Sequence, residues 1–289
     1  MNNISHGRQT WRKSVNVVML SLTGLASLLV VIPLLWILGY VIREGLPAIN
    51  IQFFTELPTP VGVPGGGIVN ALVGSLMTVG LGLLIAAPIG ILGGIFSAVY
   101  PNSPLGLLVR FSTDVISGIP SIVMGIFAYT LIVLPQKHFS AFSGGVVLSF
   151  IMLPIIIRTT EEMIRLVPNS LREGSLALGA AEWKTSVSVI LPAALNGVIT
   201  GVMLAIARAA GEAAPMLFTA FGNPFMNADY NQPVATLPHM IFIYAISPYE
   251  DWHAKAWATA LVLITLVLVL NILARLLVWW RARLLGNLK

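Results

Sequence analysis

VNALVGSLMTVGLGLLIAAPIGILGGIFSAVY, residues 69–100, runs for 32 residues without one Asp, Glu, Lys or Arg. A helix rises about 1.5 Å per residue, and about 20 apolar residues cross the roughly 30 Å hydrocarbon layer of a bilayer. Working outward from it, five further apolar segments stand at 15–42, 107–134, 144–165, 193–221 and 256–280. Six transmembrane helices are the expectation. The first follows a basic head of Arg8, Arg12 and Lys13. It is longer than the apolar core of about 7–15 residues in a signal peptide, so it is expected to stay as an anchoring helix.

Composition agrees with that reading. Apolar types make up 57% of the 289 residues and charged types 9%, against roughly 25% charged in an ordinary soluble domain. Six spans use most of the chain, so the expected fold is all-α and integral to the membrane, one transmembrane domain over 1–289 with its core at about 66–283. The chain has no cysteine, which excludes disulfides, thiolate chemistry and Cys-held metal. It also lacks the G-x-x-x-x-G-K-[ST] phosphate loop, so it is not expected to bind and hydrolyse ATP alone. His239 and His253 stand in an outer connection without a spaced ligand cluster, and no metal site is expected.

Lysine and arginine placement orients the spans. With the N-terminus inside, the inner side receives 12 of the 16 basic residues: Arg8, Arg12, Lys13, Arg110, Arg158, Arg165, Arg172, Lys184, Arg275, Arg281, Arg283 and Lys289. Only Arg43, Lys137 and Lys255 fall outside, and Arg208 lies within a span. The positive-inside rule then places both termini in the cytoplasm and assigns the net charge of +5 to the membrane rather than to nucleic acid. Outer connections at 43–67 and 222–255 are rich in Pro and Gly and are expected to be irregular. The inner connection 166–192 is polar and nearly free of breakers, and short helices outside the bilayer are expected there.

That inner connection contains EGSLALGAAEWKTSVSVILP, residues 173–192. Leu171, Ser175 and Leu178 fall on one face of a short helix by the i, i+4, i+7 rule. Gly179 permits a sharp turn, and Pro192 is suited to open the next helix, where its missing N–H costs nothing. The spacing of Glu173, Gly179, Val189, Leu191 and Pro192 resembles the cytoplasmic signature loop of ABC importer permeases, E-A-A-x3-G-x9-I-x-L-P. Gly174, Ser175 and Val189 stand where that pattern has Ala, Ala and Ile. The resemblance implies the type I ABC importer permease fold, with Glu173, Leu178, Gly179 and Pro192 in the loop that docks on an ATP-binding subunit.

A narrower resemblance covers about 65–283. LPIIIRTTEEMIRLVP (153–168), AIARAAGEAAPMLFTA (205–220) and SPYEDWHAKAW (247–257) are similar to segments of the A-type permeases of phosphate-specific (Pst) systems, and DVISGIPSIVMG (114–125) to a segment common to both Pst permeases. The C-type permease usually lacks the Arg-Thr-Thr-Glu-Glu run at 158–162. This resemblance implies transport of inorganic phosphate across a bacterial inner membrane by alternating access. It also implies a C-type permease as second subunit, a dimer of ATP-binding subunits, a phosphate-binding receptor, and no cofactor or catalytic residue in this chain. Permeases for sulfate, molybdate or an organic solute share the loop signature, and a secondary transporter or channel working alone would not need it.

Charges inside spans cost about 2.5–3.5 kcal/mol on insertion scales and therefore face a partner or a cavity. Arg208 and Glu212 are four apart on the expected fifth helix. Either they pair with each other or with another helix, or Arg208 meets the anion in the pathway while Glu212 sets its position. Asp114 is expected to pair with Arg110, one turn away. Pro88, Pro120, Pro154 and Pro215 interrupt four spans and are expected to mark kinks.

The charge asymmetry makes a direct prediction. In single-cysteine variants, an impermeant thiol reagent added outside labels position 60 or 229 and leaves 175 and 284 unlabelled; labelling of 175 from outside would contradict the orientation.

Overall fold

The computed structural model describes residues 3–63 and 65–286, and most of them are helical. A helix satisfies its own backbone N–H and C=O groups, as the hydrocarbon interior requires. The long helices are α1 (Asn3–Gly45), α2 (Val69–Val99), α5 (Ala141–Arg165), α7 (Glu182–Ala210) and α10 (Glu250–Gly286). Shorter ones are α3 (Pro104–Gly118), α4 (Ser121–Gln136), α6 (Asn169–Ala177), α8 (Ala214–Thr219) and α9 (Leu237–Ala245). Among the described residues five helices are long and apolar enough to cross a membrane, and α3 with α4 makes a sixth span when the bent pair is counted as one. Lys289 and the rest of 287–289 lie outside the described residues.

Two expected spans are broken. The segment 107–134 is not one straight helix, because α3 and α4 meet at 105°. Pro120 has no N–H to continue the ladder and pushes the residue before it out of the helical region; Ile119 is extended, with φ −79 and ψ 128. The segment 193–221 is corrected at both ends. Its helix already starts at Glu182 and stops at Ala210, and Gly211, Glu212 and Ala213 separate it from α8.

Pro192 therefore does not open a helix; it sits inside α7. The preceding Ser186–Ile190 widens into a π-helical turn, which relieves the clash between a proline ring and the carbonyl one turn back. The same device occurs at Tyr129–Val133, just ahead of Pro135 in α4. Pro88 and Pro154 remain within α2 and α5.

The connections at 43–67 and 222–255 are more ordered than expected. Ile51–Thr55 forms a single turn whose first N–H groups are capped by Asn50, its side-chain oxygen accepting from the Phe53 N–H at 2.8 Å. The 222–255 connection contains α9 and the start of α10.

α2 and α5 form the central pair, and α7 packs on α5. Apolar side chains form three clusters along this bundle. One at the end near α9 holds Phe53, Ile68, Leu237 and Tyr244, a middle one Met124, Leu148, Met152, Ile156 and Met216, and one at the opposite end Ile95, Ile164, Ile190 and Val198. Hydrophobic burial does not drive association between helices in lipid, so close approach through small residues carries the packing. Gly201 of α7 is such a point: a Cβ there would lie 2.6 Å from the Cβ of Thr159 on α5.

Substituting Gly201 with Leu forces α7 off α5, a cost of roughly 1–3 kcal/mol for overpacking. We expect Gly201→Leu to lower the thermal midpoint of the detergent-purified protein by several degrees. Gly80→Ala, where an added Cβ meets nothing within 4 Å, does not lower the midpoint, since alanine is the better helix former.

Candidate functional site

The two helix breaks are brought together by α4 and α8. A Cβ on Gly125 would lie 2.7 Å from the Cα of Pro215, so the two short helices touch backbone to backbone. α7 ends beside them, with Arg208 in its last turn, at the negative end of its dipole, where a cation is favoured. Glu212 stands in the break itself, its N–H closing on the Ala209 carbonyl at 3.1 Å. The Arg208 Nη1 and Glu212 Oε1 are 2.5 Å apart. The pair is close but off-axis, and Glu212 Oε1 completes no directed hydrogen bond. Glu212 is 8% exposed at its side chain and Arg208 58%: the carboxylate is fixed inside while the guanidinium reaches out.

Arg208 reaches into a cavity of about 120 Å³ whose wall includes Ser117, Ile119, Ser121, Met124 and Pro154. The α3–α4 bend thus forms one side of it. α4 starts here: the Val123 and Met124 N–H groups close on the Pro120 carbonyl at 2.9 and 3.2 Å, and those of Ser121 and Ile122, at the helix start, have no carbonyl one turn back. A helix start, two serine hydroxyls and a guanidinium form a set that accepts a compact anion. The Ser117 hydroxyl donates to the Thr113 carbonyl at 2.8 Å in this state. Ser117 and Ser121 escaped the sequence reading. Their signal was a pair of hydroxyls flanking Gly-Ile-Pro within an apolar segment.

The ion pairs around α3 differ from the expectation. Asp114 does not pair with Arg110 on its own helix. It faces Arg158 of α5 at 3.6 Å, and Arg158 also approaches Glu162 at 3.9 Å. Arg110 instead donates from Nε to Glu161 at 2.7 Å. The i, i+4 rule describes an isolated helix; here a neighbouring helix supplies better-placed opposite charges to both residues.

In the 166–192 connection, α6 is followed by a turn and then by α7. Gly179 carries that turn with φ +83, a left-handed conformation that side chains with a Cβ rarely adopt, and its N–H returns to the Leu176 carbonyl at 2.9 Å. Leu178 is 90% exposed and Trp183 71%, and Glu173 and Pro192 are exposed too. Ser175 does not share the outer face with Leu171 and Leu178: its hydroxyl meets that of Thr185 at 2.9 Å. Trp183 is a second exposed knob that the signature spacing does not include. The base of the turn is tied by Glu182, which accepts from the Tyr100 hydroxyl at 2.7 Å and from Arg172 at 3.2 Å.

His239 is buried, packed against Gly222. Desolvation holds its imidazole below the usual histidine range, which keeps it neutral. Among the described residues no three His, Cys, Asp or Glu side chains stand close enough to hold a metal ion.

A family model described as the binding-protein-dependent transport system inner membrane component matches residues 90–280. Over 267 residues the chain is 43% identical to the phosphate transport system permease protein PstA of Haemophilus influenzae, covering 92% of this chain and 94% of that one. It is 42% identical over 269 residues to the protein of the same name in Yersinia pestis, covering 93% and 91%. A solved structure described as inward facing conformations of the MetNI methionine ABC transporter superposes with a TM-score of 0.58 at 20% identity, covering 73% of this chain and 93% of that one. That likeness concerns the fold: a helical importer-permease arrangement of the type I class.

Proposed function

The chain belongs to the PstA family of phosphate transport permeases, within the binding-protein-dependent inner membrane components, and on that premise we propose that it passes inorganic phosphate through the membrane as one subunit of an ATP-driven importer. It is a multi-pass membrane transport component rather than an enzyme, and ATP hydrolysis belongs to a separate subunit. The relatives' shared name favours phosphate over sulfate, molybdate or an organic solute.

One observation carries the reading of the pathway: Arg208, backed by buried Glu212, opens into the cavity at the α3–α4 bend. Phosphate leaving water needs donors in exchange. The guanidinium offers a planar fork to two of its oxygens, and Ser117, Ser121 and the first turn of α4 stand on the facing wall. Glu212 keeps part of the positive field for itself, so the anion is held weakly enough to leave. This chain binds and orients; no bond in phosphate is broken and no cofactor takes part.

The partners follow from the same premise. A C-type permease is the second half of the pathway, and a phosphate-binding receptor delivers from outside. A dimer of ATP-binding subunits sits at the inner face, where both termini lie. Leu178 and Trp183 are large apolar side chains held out from a polar connection, and a cleft on the ATP-binding subunit is their cover. Glu173, Leu178, Gly179 and Pro192 belong to this coupling region, which moves inward when the ATP-binding subunits close and so drives alternating access.

The experiment is a substitution series in the assembled complex. Arg208→Gln leaves assembly intact and cuts ATP-driven phosphate uptake severely, by roughly 10-fold or more, the scale of losing a charged contact. Arg208→Lys recovers only part of it, since a point charge lacks the fork. If the arginine merely neutralises Glu212, then Arg208→Gln with Glu212→Gln regains uptake, because no stranded carboxylate remains. Uptake regained in that double variant contradicts the anion-contact role; continued loss with normal assembly supports it.

A further inference from the structure

Among the residues of α3 only Gly106 and Thr113 are buried. Apolar packing therefore does little to hold the helix whose far end forms the wall facing Arg208. Its main tether is Arg110. That side chain donates from Nε to Glu161 Oε1 at 2.7 Å, from Nη1 to the Pro101 carbonyl at 2.9 Å and from Nη2 to the Ser97 carbonyl at 2.5 Å. Glu161 Oε1 also takes Arg165 Nη2 at 2.6 Å. The carboxylate is 4% exposed, and its second oxygen has no partner.

Desolvating such a group costs as much as the pairing returns, so a buried ion cluster is a poor source of stability compared with packed apolar side chains. What it supplies is register. Arg165 lies in the last turn of α5, close before Pro168, the residue that caps the start of α6. The contacts thus run from the base of the coupling connection, through Glu161, to α3 and the turn ahead of it. A second pair, Asp114 with Arg158, continues the antiparallel match of α3 on α5 toward the bend.

We propose that Glu161 is a positioning residue for transport: it clamps α3 to α5 so that displacement of α6 moves the α3–α4 bend, and with it Ser117 and Ser121, relative to Arg208. The inference rests on the transport reading above only in taking α6 as the driven element. Without the clamp α5 still moves with α6, but α3 slips on it and the cavity wall lags behind. ATP is then hydrolysed without a matching passage of phosphate.

The test uses the complete complex in vesicles, with phosphate uptake and receptor-stimulated ATP hydrolysis measured together. Glu161→Gln is expected to assemble, to keep hydrolysis, and to lower phosphate moved per ATP by roughly 5-fold or more, the range of a coupling loss. Glu161→Asp restores most of that ratio. Arg110→Gln combined with Glu161→Gln does not restore it, although it removes the stranded charge. An unchanged ratio in Glu161→Gln, or a restored one in the neutral double variant, overturns the proposal. Where Glu161→Gln fails to assemble, Arg165→Gln, whose side chain is half-exposed, carries the test, and an unchanged ratio there overturns the proposal too.

A second arm is independent of the solute. Spin labels at Leu107→Cys on α3 and Leu204→Cys on α7, both exposed, report whether ATP changes the distance between the helices. A shift in the otherwise unaltered chain that disappears in Glu161→Gln supports the clamp; no shift at all, or the same shift in both, overturns it. Absence of ATP-driven phosphate uptake in the unaltered complex contradicts the transport reading instead, and leaves this arm to judge the clamp.

Discussion

A backbone N–H or C=O that leaves its helix inside a bilayer finds no water, so irregular backbone at that depth survives only where protein covers it or a cavity supplies polar company. The fold is organised around two such interruptions, Ile119–Pro120 and Gly211–Ala213. Each on its own would leave a helix end unsatisfied. Packed together through Gly125 and Pro215, they place the positive start of α4 near the negative end of α7, with Arg208 and Glu212 in the gap. The site is thus not an addition to a finished bundle. It is the arrangement by which the bundle tolerates its own breaks.

The same economy of apolar burial explains the charges. α2 and α5 pack tightly through small residues and need no ions to hold them together. α3 is different, because its outward face is apolar and its inward face offers little to bury. Arg110 and Asp114 find their opposite charges on α5 at Glu161 and Arg158, and a helix held by directed polar contacts can be moved as a piece. Such contacts are short in range and exacting in register, so they fix α3 against α5 at particular positions rather than along a continuous apolar seam. The two exposed knobs, Leu178 and Trp183, lie at the other end of that chain of contacts.

Much of this was legible in the residues. Apolar runs interrupted by polar connections identified the spans, and the Glu173–Gly179–Pro192 spacing drew attention to the connection that folds into α6 and the Gly179 turn. Arg208 and Glu212 stood out as charges within apolar sequence. Hydropathy is blind to direction, however, so it joined α3 to α4 and α7 to α8 across breaks that only backbone conformation reveals. It also ended the inner connection at Pro192, because a proline reads as a helix start unless a π-helical turn ahead of it is foreseen. Partner choice was lost for a related reason: Arg110 and Asp114 satisfy the i, i+4 rule, and nothing in their own segment announces Glu161 and Arg158. Ser117 and Ser121 carried a faint signal beside Pro120, but only the 105° bend turns them into one wall of a cavity.

The central claim is that ATP drives phosphate through this chain and its partners in preference to other oxyanions. Uptake of labelled phosphate and labelled sulfate into vesicles holding the reconstituted complex, with receptor present and with ATP supplied or withheld, tests it most directly. The account predicts phosphate accumulation that requires ATP, with sulfate left near background under the same conditions. Equal accumulation of sulfate, or phosphate uptake that continues undiminished without ATP, would contradict it.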